Sequence, residues 1–185
     1  LIFGTGSYPP DFLYFYVGHF IGGGLVLNGG LYTGPTGNAG ALGPLPVPSA
    51  DGGIQQLVNV ASLHGLEADL EAADCDPNIL WESVEAWEIP DNVLSPWIDK
   101  AAGGLAYAIT AACSVIDVEL VIMDGWLPTA VRRTLVERTE TEMAKLDWAG
   151  LVVPELRAGA IGPDARALGA ASLPLSSRFH VSRQV

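Results

Sequence analysis

Basic side chains are missing from the first half of this chain. Across 185 residues no Lys or Arg precedes Lys100, while twelve of the 21 acidic residues lie in residues 1–99. All nine basic residues follow beside nine acidic ones, so the net charge of −12 belongs to the first part and the second part is neutral. That distribution excludes a chain that grips nucleic acid or an anionic membrane by itself, because phosphate binding rests on Lys and Arg. Cysteine is nearly absent too. Cys75 and Cys113 stand 38 residues apart and form neither a CxxC pair nor a disulfide framework, which points to two reduced thiols in a cytoplasmic protein.

Long uninterrupted hydrophobic runs are also lacking. Asp11 is the only formal charge before Asp51, yet residues 12–50 hold ten Gly and four Pro, a density no membrane-spanning helix carries. The other apolar stretch, Ala101 to Ile116, ends at Asp117 and reads as a buried helix. The start, LIFGTGSYPP, has neither a basic region nor the apolar core of a signal peptide, and it reads as a chain that begins mid-domain. What is present is 49% hydrophobic residues, enough to bury one core, so residues 1–185 are expected to form a single domain.

The order of elements follows from local pattern. Asp11–Gly18 (DFLYFYVG) is aromatic, branched and bounded by Pro and Gly, a strand. Gly23–Gly30 supplies a second strand around Leu25–Leu27, and Asn28-Gly29 is a type I′ hairpin dipeptide leading to a third at Leu31–Thr33. The run Gly22–Gly24 permits close approach of backbone to a ligand or a neighbouring strand. Residues 33–48 read as an irregular loop ending in a short strand at Leu45–Val47. Helical periodicity is expected from Ile54 to before Asp76-Pro77, and a shorter amphipathic piece from Asn78 to Glu88. A helix capped by Ser95-Pro96 carries the stripe Leu105, Ile109, Ala112, Ile116. Then come a strand at Val118–Met123, a helix from Pro128 to about Leu146, a strand at Leu151–Val153 and a last helix at Asp164–Leu173. The prediction is an α/β fold: an antiparallel N-terminal meander followed by βαβα in one mixed sheet.

Several chemistries are excluded by spacing. No Lys occurs before Lys100, so the Gly-rich region is no P-loop, and neither GHFIGGG nor FGTGSY is a dinucleotide fingerprint. His19, His64 and His180 show no paired ligand spacing in sequence, and no GxSxG elbow occurs.

The glycine hairpin is recognisable. VGHFIGGGLVLNGGLYTGPTGNAGALG resembles a stretch of the ROK family (repressor, open reading frame, kinase) usually written VGTGIGGGIVLNGRLYRGAHGAAGEIGH. Val115–Pro128, VIDVELVIMDGWLP, is similar to that family's LDPEVVVIGGGLP, and Gly162–Leu173 to its closing GxxAGLIGAA. The resemblance implies a ribonuclease-H-like, actin-like fold, with this chain mainly its C-terminal lobe. It also implies that the first lobe, with its catalytic aspartate, and any helix-turn-helix lie outside this chain, so that DNA is reached only through a separate N-terminal domain.

The departures shape the functional expectation. Where the family's phosphate loop reads Gly-Thr-Gly, this chain has Gly18-His19-Phe20, followed by Gly22 and Gly23. The family's sugar-binding Glu and His correspond to Ala41 and Pro44, leaving Asn38 and, more weakly, Thr36 as polar candidates in that loop. The family's zinc cysteines would fall in PSADGGIQQL, which has none, so neither a structural zinc nor another cofactor is expected. The nucleotide-side turn Gly-Gly-Gly has become Asp124-Gly125-Trp126, a carboxylate and an indole where adenosine enters. No catalytic residue is assigned. These changes point to a catalytically inactive, sugar- or sugar-phosphate-responsive part of a transcriptional regulator, and the resemblance together with the apolar first 50 residues, which hold one formal charge, points to a homodimer. An ATP-dependent sugar kinase completed by a missing first lobe and a ligand-free scaffold are the alternatives. Trp81, Trp87, Trp97 and Trp126 offer stacking faces for a sugar, or serve in core and interface.

Overall fold

The computed structural model describes residues 8–162. The expected last helix at Asp164–Leu173 lies outside them. The aromatic run forms strand β1 (Phe12–Val17), and the glycine-rich run forms β2 (Gly22–Leu27), paired antiparallel with it. β3 (Gly30–Tyr32) returns antiparallel to β2. The turn between them is the expected type I′: Asn28 and Gly29 have φ of 52° and 75°. Asp11, the lone early charge, accepts a hydrogen bond from the Asn28 amide at 2.6 Å, and Gly29 N donates to Pro10 O at 2.8 Å. The hairpin is thereby pinned to the start of β1.

The irregular loop that follows leads to β4 (Pro46–Pro48), which pairs antiparallel with β5 (Ile54–Gln56). Here the structure corrects the expected helix start: Ile54 belongs to a strand, a 3-10 turn covers Leu57–Asn59, and helix α1 runs from Leu63 to Ala72. The reason is non-local, since β5 exists only by pairing with β4. The amphipathic piece is shorter than expected, a single turn α2 (Ile79–Glu82). Helix α3 (Asp91–Cys113) begins four residues before Ser95, with Pro96 inside it. The bond Pro96 cannot donate would have gone to the Asn92 carbonyl, and both residues are exposed, so water replaces it cheaply. The stripe Leu105, Ile109 and Ala112 is buried as expected.

β6 (Leu120–Gly125) runs parallel to β1, α4 spans Thr129–Met143, and β7 (Glu155–Ala158) runs parallel to β6. The last strand therefore falls four residues later than expected. Val152 and Val153 are exposed, and pairing starts only after Pro154, where Glu155 N donates to Glu119 O at 2.9 Å. The sheet order is β3-β2-β1-β6-β7, the mixed sheet expected from the sequence. Leu13, Phe15, Val17, Val121 and Met123 join α3 and α4 in the main core, while Phe12, Val26, Leu120 and Ile122 form a smaller cluster with Tyr8 and Tyr14. Period-2 alternation along β1 and β6 separates these two sets. Among the described residues no helix is long and apolar enough to cross a membrane.

Candidate functional site

The C-terminal ends of β1 and β6 and the turn after β1 bring together Gly18, His19, Phe20, Asp124, Gly125 and Trp126, all singled out in the sequence. Gly18 is buried, and His19 and Phe20 project from the turn. Leu63 N donates to Gly18 O at 3.0 Å and His64 N to His19 O at 3.1 Å, so the first two amides of α1 are already occupied by this turn. Free amides at a helix start are what make such a position an anion site. Ser62, buried just before α1, accepts from Ile21 N at 2.9 Å through its hydroxyl and from Trp97 Nε1 at 3.3 Å through its carbonyl. It fastens the glycine strand to α1 and α3.

Gly22 has open space where a side chain would stand, whereas a Cβ on Gly23 would run into the Tyr14 carbonyl and Leu42. Gly23 thus serves strand packing, one of the two uses its sequence allowed. Thr36, Asn38, Ala41 and Pro44 are all exposed on the loop between β3 and β4.

At the other strand end the structure turns the expected arrangement inward. Asp124 is 1% exposed, and its carboxylate accepts from Arg132 Nη1 at 2.8 Å, Tyr14 OH at 3.0 Å, Gly125 N at 2.9 Å, Gly162 N at 3.0 Å and Ile161 N at 3.3 Å. It organises the end of the sheet. Burial, then the Asp124 charge, pushes the Tyr14 hydroxyl well above its ordinary range and keeps it a proton donor. Gly125 is required by close approach: a Cβ there would collide with the Val17 carbonyl. Trp126 is half-buried, and its Nε1 donates to Leu80 O at 2.7 Å, a carbonyl it shares with Trp87 Nε1 at 3.2 Å. Trp97 is buried in the core, so of the four tryptophans considered only Trp81 is exposed.

The sequence does not bring together His19, His64 and Glu67, which meet here. His19 Nδ1 and His64 Nδ1 each lie 3.4 Å from Glu67 Oε2, while Trp81 Nε1 donates to Glu67 Oε1 at 2.8 Å. His64 and Glu67 are three apart on α1, a spacing that places both on one helix face, but His19 is 45 positions earlier and only the fold brings it there. Phe20 stacks edge-on to His19, with ring centroids 4.5 Å apart, and the ring centroids of Trp81 and Trp126 are 6.1 Å apart. Cys113 sits apart from this group; burial, then Asp117, pushes its thiol up to about 11, which leaves it inert.

The comparisons agree with the fold. A family model for the ROK family matches residues 2–176. The y4fQ protein of Sinorhizobium fredii is 28% identical over 183 residues, covering 96% of this chain and 44% of that protein. A ROK hexokinase from Thermus thermophilus superposes with a TM-score of 0.66 at 24% identity, over 95% of this chain and 60% of that one. A ROK family transcriptional regulator, a homologue of the Escherichia coli Mlc protein, superposes with a TM-score of 0.57 at 19% identity, over 85% of this chain and 43% of that one. The chain thus spans less than two thirds of the length of each. Its mixed sheet is that of the ribonuclease-H-like, actin-like sugar kinases. With a family match over nearly its whole length, this chain belongs to the ROK family.

Proposed function

We propose that this chain is the effector-sensing and dimerising C-terminal lobe of a ROK-type transcriptional regulator and does not transfer phosphate. The observation that carries the reading is the turn after β1. At the position that matches the family's phosphate loop, His19 and Phe20 are exposed, and the amides of Leu63 and His64 are bonded to the carbonyls of residues 18 and 19. A phosphate arriving there would meet two rings and no free amide from either residue. The loop matching the family's sugar site retains Asn38 and Thr36 as its polar side chains. Missing hydroxyl partners cost about 1–3 kcal/mol each when buried, so a sugar effector held here relies on a different contact set from that of the kinases.

The test uses the product of the whole coding region that contains this chain. It should bind operator DNA with an affinity that a sugar or sugar phosphate alters, and it should not phosphorylate glucose or N-acetylmannosamine from ATP. Phosphorylation well above background would replace this reading with the kinase. Absence of DNA binding, together with no rise in Tm for any sugar, would leave a ligand-free scaffold, since a bound effector stabilises by RT ln(1 + [L]/Kd).

A further inference from the structure

We propose that His19, His64 and Glu67 form a binding site for a divalent transition-metal ion of the zinc type, separate from the cysteine site of the family and independent of the sugar-sensing reading. One ligand atom from each of the three residues lies within 4.8 Å of the others. The two histidine-to-carboxylate separations, both 3.4 Å, are the informative ones. They exceed the usual span of about 2.7–3.2 Å for an N–H···O hydrogen bond. They match the spacing of two donors held about 2.1 Å from a tetrahedral ion, which works out at about 3.4 Å. Both imidazoles converge on the same oxygen, Oε2, an arrangement that a cation between the three groups accounts for.

The surroundings are those of a built site. Trp81 Nε1 holds the other carboxylate oxygen at 2.8 Å, which orients Glu67 and leaves Oε2 for the ion. The bonds from Leu63 N and His64 N to the carbonyls of Gly18 and His19 fix the turn against α1, so the ligands from the two elements keep their register. Phe20 packs on His19 and, with centroids 5.7 Å apart, on His64. The side chains of His19 and His64 are 47% and 64% exposed, against 20% for Glu67, so an ion enters from solvent and a fourth position stays open to water or a ligand oxygen. Two imidazoles and one carboxylate suit zinc, cobalt or nickel, whereas magnesium and calcium take oxygen donors.

The experiment titrates the chelator-stripped full chain with Zn²⁺ by calorimetry. One ion per chain is expected, and magnesium in large excess should not compete. His19→Ala, His64→Ala and Glu67→Gln should each weaken binding at least about tenfold. Glu67→Gln keeps an acceptor for Trp81, and both histidines are exposed, so the metal-free variants should melt as the parent does. Cys75→Ser with Cys113→Ser should leave the affinity unchanged, and Co²⁺ should show the visible absorption of a low-coordinate nitrogen and oxygen site. No uptake at about 100 μM Zn²⁺, far above a micromolar Kd, would overturn the proposal. So would uptake unaltered by the two histidine variants combined, or uptake lost with the cysteines.

Discussion

A carboxylate that is 1% exposed survives in a core only when its lone pairs are taken, and Asp124 meets that condition by holding Arg132, Tyr14 and the amides of Gly125, Ile161 and Gly162. Arg132 is itself buried at 8% exposure, so the pair is a case where removing one member leaves a charge without compensation. Such a loss costs about 3–5 kcal/mol. Asp124→Asn should therefore destabilise the chain by about that amount, read as a lower midpoint in urea unfolding. Its new amide would point donors at donors. Arg132→Met should cost less, because Tyr14 and the three backbone amides keep their acceptor. Equal losses would show that the ion pair outweighs the tyrosine and amide bonds, and no loss from Asp124→Asn would show that Asp124 does not organise this end of the sheet.

Packing between elements decides the fate of two adjacent glycines in α3. Gly103 has open space where a Cβ would stand, so Gly103→Ala gains helix propensity and should stabilise by about 0.5–1 kcal/mol. Gly104 faces the 3-10 turn, where a Cβ would lie 2.6 Å from Val60 Cγ2 and 3.3 Å from Leu57 Cδ1. Gly104→Ala should therefore destabilise by about 1–3 kcal/mol, and opposite shifts in Tm for the two variants are the check. The pair shows where sequence reading ends. β1, the Asn28-Gly29 turn and β6 were legible because each carries its signal locally, as alternation or a turn dipeptide. β5 was not, since Ile54–Gln56 is a strand only through its pairing with β4. The start of α3 was missed because Pro96 usually opens a helix, and nothing local says that a buried Val93 one turn earlier extends it. At the site, the Gly18-His19-Phe20 departure was visible, but the meeting of His19 with Glu67 depends on where α1 docks. The inward turn of Asp124 depends on Arg132, whose burial no single-sequence pattern announces.

At the scale of the whole molecule, the scarcity of charge before Asp51 divides into two causes. Part of it is sheet interior: Leu13, Phe15, Val17 and Leu25 line the helix-covered core, and Phe12 and Val26 the smaller cluster. The rest stays at the surface, in Phe20 after β1 and in Leu31 and Tyr32 on β3, an edge strand at one end of the sheet. A short apolar edge is a place where another chain can add. A two-fold homodimer would cover it at least cost, because one patch then serves both partners. Light scattering at tens of micromolar should accordingly return twice the chain mass, with little binding of a dye that reports exposed apolar surface. A monomer that binds the dye strongly would remove the dimer and leave the patch bare for a different partner. A monomer that binds no dye would remove the argument itself, since the exposed apolar groups would then be too scattered to need a cover.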